Sequence, residues 1–329
     1  MSASRFLKIP LYALAATGVA ALTLGAMLAA PLTPPPPLAS IHAGAKRLDF
    51  SGLPELSRFQ ARDGTWLAYR LYPAGAERVA ILIHGSTSSS REMNGVAKAL
   101  AAAGITAVAV DMRGHGASGT RGDVAYVGQL EDDLADLLDT LAKDHPQARF
   151  ELIGHSLGGG FVARVAGSRL ARRFDRFVML APFLGEGAHT NKPHDGGWAR
   201  ADIPRAIALT VLGELRITAG QSLPIIAYAT GPGAERRQTP VYSYRLLTSF
   251  GPSFDWSVTR AGIRSVAPRM SLIAGGADEM MDPDGYIRAL KPLGVDVTIL
   301  PGLDHLGVVY DPAALAAIVA AVKREPKAS

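Results

Sequence analysis

The chain has 329 residues, 48% of them hydrophobic, no cysteine, and a formal net charge of +5 from 34 basic and 29 acidic side chains. That composition excludes a disulfide-stapled scaffold and a cysteine-linked lipid anchor, and so small a charge with interspersed signs carries no nucleic-acid signature. About 280 residues remain beyond position 48, enough for one domain with a large core.

Arg5 and Lys8 are followed by no charged residue until Lys46, and Ile9 to Leu32 is rich in Ala, Leu and Val. As a helix, Ile9 to Ala30 would span about 33 Å at about 1.5 Å per residue, enough for a bilayer core. Residues 1–30 therefore read first as an uncleaved membrane anchor. The apolar stretch exceeds the ~7–15 residues usual for a signal peptide, and the prolines of 31–37 make a poor cleavage context. High alanine content, and a distant Ala43-Gly44-Ala45, keep a cleaved signal peptide as the alternative. Either way the basic end holds the N-terminus in the cytoplasm and sends the rest outside it, into the periplasm if the cell is Gram-negative. Residues 31–48 read as a proline-rich, semi-rigid spacer.

Ser57 to Tyr72 reads as a hairpin around Asp63-Gly64. Val79 to Ile83 is a continuous apolar run, the mark of a strand buried on both faces. It ends in His84-Gly85-Ser86-Thr87-Ser88, where Gly85 is expected to permit an unusual backbone. A second buried strand, Thr106 to Val110, leads into Asp111-Met112-Arg113-Gly114-His115-Gly116-Ala117-Ser118. Val127 to Leu141 has helical apolar spacing with exposed carboxylates. Phe150 to Ile153 is a third strand, and it runs into Gly154-His155-Ser156-Leu157-Gly158 and then a helix-forming stretch from Phe161.

A serine between two glycines at a strand-to-helix junction is a nucleophile elbow. The turn is so sharp that side chains two residues before and after the serine would strike neighbouring backbone, so Gly154 and Gly158 carry none. Leu157 opens the helix, and its free N–H points where an oxyanion would form.

Between Pro182-Phe183 and Met270 lie over eighty residues, too many for one crossover helix. Leu184 to about Arg245 reads as a cap over Ser156, with a helix-like segment at Ile207 to Ile217 and an apolar patch at Ser222 to Tyr228. Tyr242 to Leu247 returns the chain to the core. Met270 to Ala274 and Val295 to Leu300 are further strands, and Asp311 to Val322 is a closing helix. Strands and helices alternate from Val79 onward, which implies a doubly wound, mostly parallel sheet.

The strand before Asp-Xaa-Arg-Gly-His-Gly-Xaa-Ser, the His-Gly loop and Gly-His-Ser-Leu-Gly-Gly together resemble the α/β-hydrolase superfamily, most of all its monoacylglycerol lipase and lysophospholipase-like branch. The resemblance covers residues 49 to 325. It implies an α/β-hydrolase domain over 49–329 with a cap insertion at about 184–245, preceded by the N-terminal apolar helix. It makes the Arg113–His115 loop architectural. It assigns the second oxyanion-hole N–H to the loop after His84, to Ser86 with Thr87 as competitor, and leaves His84 and Gly85 as loop supports.

In this fold the acid and base follow the serine in the order Ser, Asp or Glu, His. Of eight histidines, five precede Ser156, and His189 and His194 follow no strand. His305 remains, in the loop after the last strand where the family keeps its base. The family's Gly-Xaa-Xaa-Asp pattern places the acid at Asp278. Asp282 precedes Pro283 and reads as a helix cap, and Glu279 and Asp304 are outside alternatives. The implied activity is hydrolysis of carboxylic esters, of monoacylglycerol or lysophospholipid type or another single-chain acyl ester, through an acyl-enzyme. Thioester, peptide and acyl-transfer chemistry remain alternatives, as does a non-catalytic binding protein of this fold. No metal or cofactor is expected: His-Glu-Xaa-Xaa-His is absent, and the glycines after Ser156 do not form a dinucleotide fingerprint. Expected partners are a small-molecule or lipid ester and, through the N-terminal segment, a membrane, but no nucleic acid.

Overall fold

The computed structural model describes residues 4–230 and 236–324. Residues 1–3, 325–329 and, inside the expected cap, 231–235 lie outside the described residues. The chain opens with helix α1 (Ser4–Ala29), whose Tyr12–Ala29 stretch is long and apolar enough to cross a membrane. The hydroxyls of Thr17 and Thr23 donate to the carbonyls of Ala13 and Val19, one turn back, so neither adds an unpaired donor to an apolar helix.

The stretch expected as an extended spacer is tied to the domain instead. Pro35 is buried, the Leu38 amide donates to the Ala229 carbonyl, and α2 (Ala39–Ala45) inserts Ile41 into the core. The reason is local. Beyond the prolines, Ala39 to Ala45 holds only small or apolar residues besides one serine and His42, so it can form a short turn of helix with a face to bury.

The sheet follows. β1 (Leu56–Gln60) and β2 (Trp66–Tyr72) form the expected hairpin, with Gly64 at φ 83°. Then come β3 (Arg78–Ile83), α3 (Asn94–Ala102), β4 (Thr106–Val110), α4 (Gln129–Asp144), β5 (Arg149–His155), α5 (Leu157–Ala166) and β6 (Arg176–Leu180). The region between the sixth and seventh strands of this sheet holds β7 (Ala199–Ala201), α6 (Ile203–Glu214), β8 (Pro224–Tyr228), β9 (Val241–Ser243), α7 (Tyr244–Phe250) and α8 (Trp256–Val266). The chain closes with β10 (Met270–Gly275), α9 (Pro283–Leu290), β11 (Asp296–Leu300) and α10 (Pro312–Lys323).

The main sheet has eight strands in the order β1-β2-β4-β3-β5-β6-β10-β11. The first two are antiparallel to their neighbours, and the six from β4 to β11 are parallel. Every residue of β3, β4, β6 and β10 is buried, as continuous apolar runs require when helices cover both faces. β5 sits between β3 and β6, so the residue after it emerges at the centre of the carboxyl edge. There a doubly wound sheet leaves a crevice for ligands.

A separate three-stranded antiparallel sheet, β7-β8-β9, stands between the elements of the main sheet. α6 starts four residues before the expected Ile207, because Asp202 caps it by accepting from the Arg205 amide and Pro204 fits its first turn. α8 was not anticipated. Its apolar positions are sparse, and it packs on α5 through Gly262, whose missing Cβ lets it approach Gly167.

Candidate active site

Ser156 ends β5 and precedes α5 with φ 53° and ψ −117°, a strained backbone for a residue with a Cβ. The flanking glycines are required by contact. A Cβ on Gly154 would meet the Gly158 carbonyl oxygen at 2.2 Å, and one on Gly158 would meet the His84 oxygen at 2.4 Å. The strain points Oγ toward the loop after β11, where His305 Nε2 lies 2.9 Å away. His305 Nδ1 is 2.8 Å from Asp278 Oδ2, beyond the end of β10. The other Asp278 oxygen accepts from the amides of Met280 and Met281, both at 2.8 Å, and Lys192 Nζ donates to its carbonyl. The structure thus brings Ser156, His305 and Asp278 into one hydrogen-bonded line.

The line is buried, and its charges are coupled. Burial by itself would raise the Asp278 carboxyl. The facing His305 and the two amides outweigh it and hold the group below the usual carboxylate range. Burial would likewise lower the His305 imidazole, but the adjacent Asp278 carboxylate, with Glu279 and Glu92 further off, raises it above the ordinary histidine value. With Nδ1–H donated to a fixed carboxylate, Nε2 is left to accept from the serine hydroxyl.

The alternative acids are directed elsewhere. Asp282 caps α9 and pairs with Arg288 at 2.7 Å. Glu279 Oε2 accepts from the backbone amide of His305 at 2.9 Å, and Asp304 accepts from the Gly307 amide. All three support the loops that carry Asp278 and His305.

Around the serine, the amides of Ser86 and Leu157 have no acceptor among the described residues. The Thr87 amide is committed to the Tyr242 hydroxyl at 2.8 Å, and that hydroxyl reaches His115 Nε2 at 2.7 Å. The loop's unusual backbone is at Thr87, φ 65°, and not at Gly85. Gly85 answers a packing demand instead: a Cβ there would meet His155 Nδ1 at 3.1 Å and Ser156 Cβ at 3.3 Å. His84 is buried with Nδ1 2.7 Å from the Gly85 carbonyl, while Nε2 takes the Met112 amide at 3.3 Å. Burial lowers its pKa, and a neutral ring suits one donor and one acceptor. Arg113 pairs with Asp63 and Asp133 at 2.9 and 2.7 Å, as an architectural loop demands.

Sequence reasoning missed Glu92. Its Oε1 accepts from the Gly85 amide at 2.7 Å and lies 2.8 Å from His155 Nδ1, while His155 Nε2 donates to the His305 carbonyl at 3.2 Å. Burial would raise Glu92, but the charge and hydrogen bond of His155 bring it down to about 2. This pair ties the loop after β3 to the loop after β11 beneath the serine. Trp198, also missed, donates its indole N–H to Ser86 Oγ at 2.9 Å. Neither residue stands in a recognisable motif.

The model of the serine aminopeptidase (S33) family, a hydrolase family, matches residues 74–307. The chain belongs to this family. A monoacylglycerol lipase of Mycolicibacterium smegmatis is 33% identical over 243 residues, 69% of this chain and 80% of the relative. Among solved structures, a soluble variant of the Saccharomyces cerevisiae monoglyceride lipase aligns over 84% of this chain and 98% of its own, with TM-score 0.63 and 16% identity. A membrane phospholipase A aligns over 97% of this chain and 98% of its own, with TM-score 0.52 and 18% identity. At those identities the two structures establish the α/β-hydrolase fold.

Two cavities meet at Ser156 in this hydrolase. The larger, about 280 Å³, runs beneath the cap between Leu157, Phe183, Ile203, Ile226, Leu247 and Met281. The smaller, about 70 Å³, runs along the loop after β3 toward His305 and is lined by Ser86, Thr87, Ser88 and Glu92 among others. Ser86, Trp198 and Met280 border both. Among the described residues no group of three His, Cys, Asp or Glu side chains is placed to hold a metal ion.

Proposed function

We propose that this chain is a serine hydrolase of single-chain acyl esters, of monoacylglycerol or lysophospholipid type. The observation that carries the reading is a Ser156–His305–Asp278 line standing where an apolar cavity meets a smaller one of mixed polar and apolar lining. An acyl chain fits the first and the alcohol the second. His305 Nε2 takes the Ser156 proton as Oγ attacks the acyl carbon, and Asp278 stabilises the resulting imidazolium. The amides of Ser86 and Leu157 face the developing oxyanion, and the committed Thr87 amide favours Ser86 over its neighbour. His305 gives its proton to the leaving alkoxide, then activates the water that frees the acid. Glycerol esters are the preferred substrates in view of the lipase relative.

The second reading is peptide hydrolysis, favoured by the description of the family. An apolar wall of Ile203, Ile226 and Leu247 suits an acyl chain better than a charged peptide terminus. An octanoyl, lauroyl and palmitoyl ester series, set beside amino-acid anilides and run on the full chain in detergent, separates the two. A maximum at medium or long acyl chains, lost in Ser156→Ala, supports the ester reading. Turnover of anilides without esters replaces it with the peptidase reading.

The same proposal places α1 in a membrane as an uncleaved span, with Arg5 and Lys8 on the cytoplasmic side and the hydrolase outside. Two features support retention of α1. Arg205 of α6, itself buried, donates to the Leu28 and Ala30 carbonyls at the end of α1. Along the same helix and its C-cap, Ile203, Ile207, Val211 and Leu215 form an exposed stripe spaced by four, as a surface against lipid would need. Protease accessibility in sealed vesicles, with the mass of the mature chain, tests both the topology and the cleavage.

A further inference from the structure

The smaller cavity has a wall that belongs to neither the sheet nor the cap. We propose that α2, the short helix between the apolar anchor and the hydrolase domain, forms one side of the leaving-group site and selects the alcohol released. The proposal rests on Ser156 being the nucleophile of an ester hydrolase.

Ile41, Ala45 and Leu48 line the cavity, as do Gly85 to Ser88, Ser156 and His305. Ile41 is only 8% exposed and belongs to the main core. α2 also lies tight against the residue after His305, since a Cβ on Gly44 would meet Leu306 Cδ1 at 3.2 Å. Both ends of the segment are pinned. The Leu38 amide donates to Ala229 of the cap at 3.3 Å. Arg47 pairs with Asp304 at 3.6 Å and donates to the Tyr310 hydroxyl at 3.3 Å. A helix held at the cap and at the loop carrying His305 presents a fixed surface to whatever leaves Ser156.

The two sides of the cavity differ in chemistry. Hydroxyls and Glu92 line the loop side, and aliphatic carbons line the α2 side. Its volume is a quarter of that of the larger cavity, about 70 against about 280 Å³. The occupant is therefore a compact alcohol with one polar and one apolar edge, of the size class of glycerol, and bulkier alcohols meet Ile41 and Ala45. Changes of one or a few carbons in such a wall typically alter discrimination by about tenfold or more.

The test holds the acid constant and varies the alcohol. Methyl, 1-glyceryl and naphthyl octanoate are compared by kcat/KM, which reports the acylation step in which the alcohol is still present. The full chain is used in detergent. Ala45→Phe, which narrows the cavity, is expected to lower the glyceryl-to-methyl ratio by about tenfold. Ile41→Ala, which widens it, is expected to raise the naphthyl-to-methyl ratio while the acyl-length optimum stays in place. If Ala45→Phe fails to fold, Ile41→Ala carries the test alone. Equal scaling of all three alcohols, or a shifted acyl optimum, overturns the role of α2. A wild type that is labelled at Ser156 by a fluorophosphonate yet turns over no ester overturns the ester reading instead, so the two failures are distinct.

Discussion

On the sheet side, the groups of the candidate site stand just past strand ends or on the first turn of a helix: Ser156 after β5, Leu157 on α5, Asp278 after β10. On the cap side, the residues that line the larger cavity or hold the loop after β3 come from short strands and loops, with Trp198 just before β7, Ile226 on β8 and Tyr242 on β9. The sheet side is held by backbone geometry that allows few substitutions. A Cβ on Gly154 or Gly158 would lie within 2.4 Å of a carbonyl oxygen. The cap side is held by side-chain contacts, such as the indole bond to Ser86 and the hydroxyl bond to Thr87. Reaction chemistry thus rests on constraints that many sequences must share, and substrate choice rests on packing that each sequence can vary.

That contrast can be broken at several strengths. Ser156→Ala should remove on the order of a millionfold in kcat for esters, together with fluorophosphonate labelling. Retained labelling would move the nucleophile off the sheet edge. Asp278→Asn should cost about ten-thousandfold with the fold intact, because the imidazole loses its orienting charge. Asp282→Asn should keep turnover and lower stability by about 1 kcal/mol at most, because Asn still caps α9 and only the half-exposed ion pair with Arg288 is lost. A reversal of that pair would show that the acid was assigned to the wrong carboxylate.

A smaller effect is the pH profile. Only unprotonated His305 can accept the serine proton, and its pKa is raised above the ordinary value of 6.5. The kcat/KM of wild type should therefore fall about tenfold per pH unit below a midpoint higher than 6.5. A midpoint below it would mean that burial outweighs Asp278 at this site. Smallest is Trp198→Phe, which keeps an aromatic ring, though a smaller one, and deletes the hydrogen bond to Ser86. About 1 kcal/mol, or severalfold in kcat/KM, is expected. A large loss would place the cap in the chemistry itself.

The same contrast explains what could be read from the residues alone. The parallel strands, the hairpin and the elbow were legible because burial on both faces writes apolar runs and the sharp turn writes glycines. Asp278 and His305 followed from chain order and family pattern, and the structure sets them beside Ser156. Glu92 was not legible. Its surroundings, Ser-Ser-Ser-Arg-Glu-Met, carry no periodic signal, and its role exists only once three loops converge on it. α2 was hidden for another reason. A proline run followed by small residues has the composition of a spacer, and only contact with Leu306 and the core gives it a different part. Gly85 was read for backbone freedom, whereas its real constraint is the closeness of His155 and Ser156, which no local pattern encodes.

Arg205 closes the end of α1 by reaching the Leu28 carbonyl at 3.1 Å and that of Ala30, while also donating to Pro224 at 2.6 Å. A cation there matches the negative end of the helix dipole. It also removes the swivel that a plain tether would leave between α1 and the rest of the chain. Were α1 seated in a bilayer as proposed, the mouth of the larger cavity would keep one bearing relative to the lipid plane. Such an enzyme would search a surface rather than a volume, and its encounter rate would follow lateral diffusion and lipid composition more than the bulk concentration of ester.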